Sequence, residues 1–304
     1  MYMFKYVSKR LGLMLFTFFI IFTMCFVLIK LLPIPTNALP GQDPEIIMKT
    51  LEGRGWITNI KEGENGVWTY DRVPIFIQFG TYIKRIVTQG DFGIVTTYGE
   101  YLNMNIWKVF VSHLPPTILI NIYSTLIGVP IGLGLGILAA LKKNKWQDQV
   151  INIFIILLIS VPSIVLALMI QYVFCFKLGW FPLTMSTSDE YFTWPVFRSM
   201  IPAVFALCLG SIAGYARYTR AELSEVLTGE FMLLARTKGL TRAQATTRHA
   251  LRNSMVPIFP MIMGEFIGII GGSLIIEQIF GIPGVGPLYI NSITARDYNF
   301  FMLL

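Results

Sequence analysis

The protein has 304 residues, of which 54% are apolar and only 13% are charged, and its mean hydropathy is +0.63. Soluble domains carry about 25% charged residues to cover their surface, so this composition excludes a soluble enzyme, a disordered chain and a disulfide-stapled secreted module. The 24 basic and 17 acidic residues give a net charge of +7, which alone fits either nucleic acid or anionic lipid as a partner. The composition as a whole predicts a membrane protein.

The first apolar segment is Leu11–Leu32, which follows Lys5, Lys9 and Arg10 and ends at Pro33. A membrane span needs about 20 mostly apolar residues, so this segment is long enough to cross. A cleaved signal peptide is the alternative, but its apolar core is only about 7–15 residues long. We therefore expect an uncleaved first span.

Residues 33–115 form a long polar stretch after the first span. Its first half is crowded with residues that favour turns: Pro40-Gly41, Gly53, Gly55, Gly63 and Gly66. We expect a small mixed extracellular domain with some strands, although periodicity does not predict its fold. The predicted division of the chain is 1–32, 33–115 and a core membrane domain at 116–304.

Four further apolar segments follow, at Pro116–Leu141, Val150–Phe176, Met200–Tyr218 and Met255–Phe280. Two of them contain glycines four residues apart: Gly128, Gly132 and Gly136, and Gly264, Gly268 and Gly272. This spacing places small residues on one helix face and lets a second backbone approach closely. The pattern predicts helix packing but does not identify the partner helix.

The charges predict the orientation. With the N-terminus inside, the inner segments carry 13 basic and four acidic residues, while the outer ones carry 11 of each. Cytoplasmic segments of membrane proteins carry such a basic excess. We therefore expect a multi-pass protein of the cell membrane with a cytoplasmic N-terminus, in contact with lipid and not with nucleic acid.

The inner segment between the fourth and fifth spans has a helix–turn–helix pattern. Glu230–Lys238 suits a short helix, and Gly239 after it suits a left-handed helix end. Thr241 then begins a second, basic helix with Gln244 at the spacing of a capping box. A basic loop facing lipid is the alternative, but lipid attraction does not require two capped helices.

The same segment resembles the cytoplasmic EAA loop of ABC importer permeases, and most closely the B-type permease of the oligopeptide, dipeptide and nickel branch. The matching runs are Ala235-Arg236-Thr237-Lys238-Gly239-Leu240 and Arg248-His249-Ala250-Leu251-Arg252-Asn253. Leu233-Leu234-Ala235 replaces the Glu-Ala-Ala triplet, and Leu251-Arg252 replaces Leu-Pro. The peptide branch commonly has such substitutions.

Other pieces resemble the same family in order along the chain. They are Gly90-Asp91-Phe92-Gly93, the Leu114–Thr117 run, Trp180-Phe181-Pro182, the Phe280–Gly286 loop and Arg296-Asp297-Tyr298. The resemblance implies an all-α polytopic fold, the transmembrane domain of a type I ABC importer. It also implies a sixth span after Tyr298, and we expect that the sequence is shortened there.

The resemblance further implies the partners. These are a second homologous permease subunit, two ATPase subunits and an extracellular substrate-binding protein. No phosphate-binding loop of the G-x-x-x-x-G-K-[ST] type occurs here, and His113 and His249 lack the spacing of a metal site. We therefore expect no catalytic residue, metal or cofactor in this chain, with ATP and Mg on the partner ATPases.

Two groups of residues are candidates for function. Within the coupling loop at 221–253, those expected to couple to the ATPase are Ala235, Arg236, Lys238, Gly239, Leu240, Arg248 and His249. Those expected to line the translocation path or a gate are Glu265, Glu277, Phe280, Pro283, Gly284 and Gly286. Glu265 is an intramembrane carboxylate, which favours a role in the translocation path or in binding a peptide amine. A carboxyl that pairs with a neighbouring subunit, or one that stays protonated, explains it equally well. A plain structural turn is the alternative to a gate at Phe280–Gly286.

The function predicted is that of a peptide permease which forms half of the translocation path. Nickel or another small solute is the alternative cargo. A secondary transporter driven by an ion gradient is a further alternative, but it would favour paired acidic relays, and only Glu265 lies deep in a span. A membrane scaffold without transport activity is the remaining one.

Overall fold

The computed structural model describes residues 2–33, 44–62, 68–186 and 190–304. The predicted turns at Pro40-Gly41, Gly63 and Gly66 lie outside the described residues. The chain divides into two compact units. The first contains Met1–Ser112 and Leu288–Leu304, and the second contains His113–Pro287. The sequence-based division at residues 32 and 115 stays a prediction.

The first unit contains a long apolar helix followed by a small α/β element. Its helices and strands are α1 (Tyr2–Leu31), α2 (Pro44–Gly53), β1 (Ile57–Glu62), β2 (Trp68–Arg72) and α3 (Ile75–Gln89). The two strands pair antiparallel, with an irregularity between Thr58 and Lys61. Met48 and Leu51 of α2 pack with Ile57 of β1 in a buried cluster. The predicted strands are therefore present, as one two-stranded sheet.

The first unit also contains the last helices of the described chain. The elements are α12 (Val285–Thr294), which begins in the second unit, and α13 (Tyr298–Leu303). Asp297 caps α13 and is fully buried. Its Oδ2 accepts hydrogen bonds from the backbone N–H groups of Thr96 (2.5 Å), Thr97 (2.7 Å) and Tyr98 (3.3 Å). One carboxylate therefore ties residues 96–98 to the segment before α13.

The second unit is made of long apolar helices and their connections. They are α4 (Ile106–Leu141, which begins in the first unit), α5 (Trp146–Ser160), α6 (Ser163–Ile170) with a π-helical extension Gln171–Lys177, and α7 (Trp194–Thr228). After them come α8 (Glu230–Thr237), α9 (Arg242–Ala245), a π-helical turn Thr246–Ala250, α10 (Leu251–Gly268) and α11 (Leu274–Ile279).

Among the described residues, four helices are long and apolar enough to cross a membrane: Met3–Leu31, Ile106–Leu141, Trp194–Thr228 and Arg242–Gly271. The pair Trp146–Ser160 and Ser163–Lys177 passes the same test together but bends by 98°. The five apolar segments expected from the sequence are therefore all helical, and the third is broken where Pro162 begins α6.

One predicted span is shorter than its helix, and another is interrupted. α4 starts ten residues before Pro116 and contains Pro115 and Pro116 in its interior. The fifth predicted span does not run unbroken to Phe280, because Gly272 has a left-handed φ of +67° and ends the helix. Interior prolines are tolerated in membrane helices when neighbouring groups satisfy the freed backbone.

The glycines of α4 pack directly on α7. A Cβ added at Gly132 would lie 2.8 Å from Tyr215 Cβ and 2.9 Å from the Ile212 carbonyl, and one at Gly136 would lie 2.5 Å from Thr219 Cβ. The first glycine triplet therefore has α7 as its partner. Gly264 and Gly268 differ, because a Cβ at either would meet no atom within 4 Å. In the second triplet only Gly272 lies against another helix, since a Cβ there would lie 3.0 Å from Thr117 Cγ2 of α4.

Candidate functional site

Residues 230–249 form a compact structure between α7 and α10, which we call the knob. As predicted, Gly239 follows a short helix in a left-handed conformation, with φ of +84°. This turn lets the Leu240 N–H donate to the Ala235 carbonyl at 3.3 Å. The predicted capping box is also present: the Gln244 N–H donates to Thr241 Oγ1, and the Thr241 N–H donates to Gln244 Oε1. Interactions between residues close in sequence therefore determine the turn and the second helix start of the knob.

The inner side of the knob is an apolar base built from small residues. Ala235 of α8 is buried together with Ala245 of α9 and Ala250 of the π-helical turn, and Leu240 packs against them. The same cluster contains Leu223 of α7 and Ala140 of α4. The knob is thus packed on the ends of two long helices. Because buried side chains are closely packed, a force on the knob reaches both helices.

The outer side of the knob is exposed and carries both charged and apolar side chains. The candidates Lys238, Arg248 and His249 are exposed. Leu233 and Leu234 of α8 are also exposed, at 63% and 55%. The side chain of Arg236 lies outside the described part of the structure. The knob therefore presents two leucines among several basic residues.

Leu233 and Leu234 were missed as functional residues by the sequence analysis, which treated them as a departure from the family triplet. The signal was present, because Met232 and Ala235 supply the buried positions of α8. In a helix of eight residues, two leucines between those positions point away from the base. Exposed leucines beside cations are typical of a protein-binding surface.

An ion pair near the end of α7 was also missed. Arg220 donates from Nε to Asp148 Oδ1 at 2.6 Å and from its terminal nitrogen to Oδ2 at 2.9 Å. Asp148 is 2% exposed and also accepts from the Asn144 N–H. This bidentate pair joins the start of α5 to α7, three residues before Leu223 of the knob base. The 72 residues between the partners leave no local sequence signal.

Glu265 lies in α10, and its contacts come from α7. Ser211 Oγ donates to Glu265 Oε1 at 2.6 Å. Tyr215 lies one helical turn after Ser211 and therefore on the same face of α7. Glu265 is half-buried.

Glu277 of α11 is fully buried and holds a tight turn. Its Oε2 accepts from the Gly286 N–H at 2.8 Å and from Thr117 Oγ1 at 3.1 Å, and its Oε1 accepts from the Ser273 N–H at 3.0 Å. Thr117 Oγ1 in turn accepts from the Val285 N–H at 2.9 Å. The carboxylate therefore anchors the loop that follows α11.

The remaining gate candidates lie in this loop. Phe280 is buried, and its carbonyl accepts from the Met185 N–H at 3.0 Å. Gly284 has no room for a side chain, because a Cβ there would contact the Glu277 carboxylate and the Thr117 hydroxyl. Gly286 is buried and Pro283 is half-buried. The loop is a packed turn, and its role as a gate stays a prediction.

The candidates thus fall into three separate clusters: the knob, the Glu265 hydroxyl cluster and the Glu277 turn. Among the described residues, no group of three or more His, Cys, Asp or Glu side chains is arranged to hold a metal ion. The arrangement provides an exposed surface of leucines and basic residues on the knob, and buried polar anchors elsewhere.

Comparison with known proteins agrees with this arrangement. The family described as "Binding-protein-dependent transport system inner membrane component" matches residues 132–304. A dipeptide transport system permease protein of Lactococcus lactis subsp. cremoris is 32% identical over 99% of this chain and 90% of its own length. A glutathione transport system permease protein of Escherichia coli (strain K12) is 31% identical over 97% of this chain and 89% of its own length.

An oligopeptide transport system permease protein of Haemophilus influenzae is 30% identical over 99% of this chain and 91% of its own length. A crystal structure of an amino acid ABC transporter covers 65% of this chain and 84% of the matched chain, with a TM-score of 0.50 and 24% identity, and it supports the fold. The chain therefore belongs to the binding-protein-dependent inner membrane transport components: it is a membrane permease subunit of an ABC importer and not an enzyme.

Proposed function

We propose that this chain imports peptides, as half of a translocation path completed by a second homologous permease subunit. The similar proteins are named for dipeptides, oligopeptides and glutathione, which is itself a small peptide. Two partner ATPase subunits would bind ATP and Mg and drive the cycle. An extracellular binding protein would deliver the cargo, and residues 33–115 would help to receive it.

The observation that carries the coupling role is the exposed face of the knob. Leu233 and Leu234 would enter an apolar groove on an ATPase subunit, while Lys238, Arg248 and His249 surround that contact. Ala235 and Leu240 would transmit the motion, because they pack the knob on α7 and α4. Gly239 would fix the angle between the two knob helices. ATP binding would then drive a switch through its differential affinity for two arrangements of the spans.

The charge distribution supports an inward-facing knob. The segments expected on the inner side carry 13 basic and four acidic residues, which favours the cytoplasm for these segments and for the N-terminus. The knob would then lie on the side where ATP is available. This orientation is consistent with the proposed ATPase partner.

Copurification tests the proposed docking surface. The tagged chain is expressed with its candidate second permease and ATPases and is purified in a mild detergent. The double substitution Leu233→Asp and Leu234→Asp should remove the ATPases and leave the second permease bound. Val87→Asp, at an exposed apolar residue of α3, is the matched control and should retain both. Retention of the ATPases by the double variant would contradict the proposed docking.

Uptake by vesicles tests the cargo. Vesicles that contain the complete complex are given the binding protein and ATP, and peptides of two to six residues are compared with nickel. Uptake of peptides that requires ATP is the expected result. Uptake of nickel without uptake of any peptide would overturn the peptide assignment and leave the permease assignment intact.

A further inference from the structure

No basic side chain of the described chain pairs with Glu265. The ion pairs of the described residues join Lys49 to Glu45, Arg54 to Asp91 and Arg220 to Asp148, and none includes Glu265. The side-chain donor that the described residues supply to it is the neutral hydroxyl of Ser211. A carboxylate has about four acceptor positions. The hydroxyl therefore helps to hold the group in place and leaves acceptor positions unused.

The open side of this carboxylate is not suited to contact with lipid. A charged side chain in the middle of a span costs about 2.5–3.5 kcal/mol, and such residues face a bundle interior or a water-filled cavity. The next residue but one, Ile267, is 74% exposed and suits an apolar environment. Glu265 itself is half-buried against α7. Its open side is therefore expected to face a polar cavity.

The helix that carries Glu265 is continuous with the knob. Arg242–Gly271 forms one helical segment of 30 residues, in which the π-helical turn Thr246–Ala250 causes no break. With a rise of about 1.5 Å per residue, Glu265 lies about 35 Å along this segment from Arg242. The knob and the carboxylate therefore belong to one helical segment.

We propose that Glu265, positioned by Ser211, binds a primary ammonium group of the cargo during passage. An ammonium has three N–H donors, which the carboxylate oxygens and the Ser211 hydroxyl oxygen can accept. A divalent metal would need more anionic or imidazole ligands than the described residues offer here. The ammonium belongs either to the N-terminus of a peptide or to a lysine side chain. This inference rests on the proposed peptide import.

The test measures uptake by vesicles that contain the complete complex with its binding protein. One peptide is compared with its N-acetylated form, and a lysine-containing peptide is compared with its norleucine analogue. Only pairs that the isolated binding protein holds with equal affinity are used. Glu265→Gln removes the charge, Glu265→Asp keeps it, and Ser211→Ala removes one positioning donor. Met263→Leu, of similar volume on the same helix, is the control and should leave all uptake rates unchanged.

In the Glu265→Gln complex, uptake of the ammonium-bearing member of one pair should fall about tenfold, as expected when a charge-assisted hydrogen bond is lost. Uptake of the neutral member should stay unchanged. If uptake of the peptide with the free N-terminus falls relative to its acetylated form, the N-terminal amine is the group bound. If uptake of the lysine peptide falls relative to its norleucine analogue, the lysine side chain is the group bound. Glu265→Asp should restore part of the selectivity, and Ser211→Ala should weaken it.

Equal losses for charged and neutral peptides would overturn the inference, because they would show that Glu265 supports the fold or pairs with the second permease. Unchanged uptake of every peptide would overturn it as well. Both results differ from failure of the proposed function, in which the unaltered complex imports no peptide at all.

Discussion

Glycine is required at position 239 by the backbone conformation and not by the space around it. Its φ of +84° lies in the left-handed region, and a Cβ added there would meet no atom within 4 Å. A larger side chain would therefore cause conformational strain without any collision. The strain would act on the angle between α8 and α9, because Leu240 bonds back to Ala235 across this turn.

Gly239→Leu should uncouple ATP hydrolysis from import. The left-handed conformation costs roughly 1–2 kcal/mol for a residue with a side chain, so the turn should relax while the spans still insert. The measurement is the number of peptides imported per ATP hydrolysed in vesicles. Gly229→Ala, at an inner glycine with an ordinary φ of −76°, is the matched control. Normal coupling in Gly239→Leu would contradict the proposed role of the turn.

Glu277→Ala should lower the thermal stability of the purified complex. It leaves three donors without their acceptor, those of Gly286, Ser273 and Thr117. Each buried group left unsatisfied costs about 1–3 kcal/mol. We expect the free energy of unfolding to fall by about 3 kcal/mol or more. The decrease should be smaller for Glu277→Gln, which keeps one acceptor oxygen. The unfolding temperature of the detergent-solubilised complex measures this, and equal values for Glu277→Ala and the unaltered chain would refute it.

At this scale, local interactions could be predicted from the sequence and distant ones could not. The conformation of Gly239 and the Thr241–Gln244 capping box involve neighbours three or four residues apart, whose types follow known preferences. The partners of Glu277 and Asp148 include residues 160 and 72 positions away. Nothing in one sequence relates such positions.

Glycines mark where helix backbones approach each other, and the closest such approach is between α4 and α7. The ideal Cβ of Gly128 would lie 3.0 Å from Ser211 Cβ, and the approach tightens towards Gly136, where the Ala216 carbonyl lies only 2.7 Å away. Ser211, which donates a hydrogen bond to Glu265, belongs to the same stretch of α7. The packing of α4 on α7 therefore supports the cluster around Glu265.

Gly136→Ala should destabilise this helix pair, whereas Gly134→Ala should not. The added methyl group at Gly136 would overlap α7, and overpacking of this kind costs typically about 1–3 kcal/mol. At Gly134 a Cβ would meet no atom within 4 Å. Thermal unfolding of the two purified variants measures the difference. A lower stability for Gly134→Ala than for Gly136→Ala would contradict the packing described above.

Helix continuity was the element property that the sequence predicted least well. Proline usually ends or kinks a helix, yet Leu251–Gly268 contains both Pro257 and Pro260. Pro115 and Pro116 likewise lie inside α4. Proline removes one backbone donor and clashes with the preceding turn. In an apolar helix the alternative is backbone exposed to lipid, so the helix persists.

For the molecule as a whole, hydropathy predicted the spans because the bilayer sets a fixed length of apolar chain. The 98° bend between α5 and α6 and the joining of residues 288–304 to the first unit were not predictable. Both depend on tertiary contacts and leave the apolar content of the segments unchanged. The position of the knob could be predicted from the sequence, but the exposure of Leu233 and Leu234 could not.

The proposed orientation predicts a labelling pattern in intact cells. In a background with Cys25, Cys175 and Cys208 replaced by alanine, Glu52→Cys should react with a maleimide that does not cross membranes. Lys143→Cys, from the basic run Lys142, Lys143 and Lys145, should react only after permeabilisation, because basic segments stay in the cytoplasm. The reverse pattern would invert the orientation and remove the knob from the ATPase side.

The Asp297 carboxylate has a consequence for the timing of biosynthesis. The backbone N–H groups of Thr96, Thr97 and Tyr98 donate to an acceptor that lies about 200 positions later in the chain and is synthesised after them. Ribosomes add about 5–20 residues per second, so these N–H groups are without their acceptor for roughly 10–40 seconds. During that interval all of the second unit is synthesised. The unit that contains the start of the chain is thus among the last parts of the molecule to be completed.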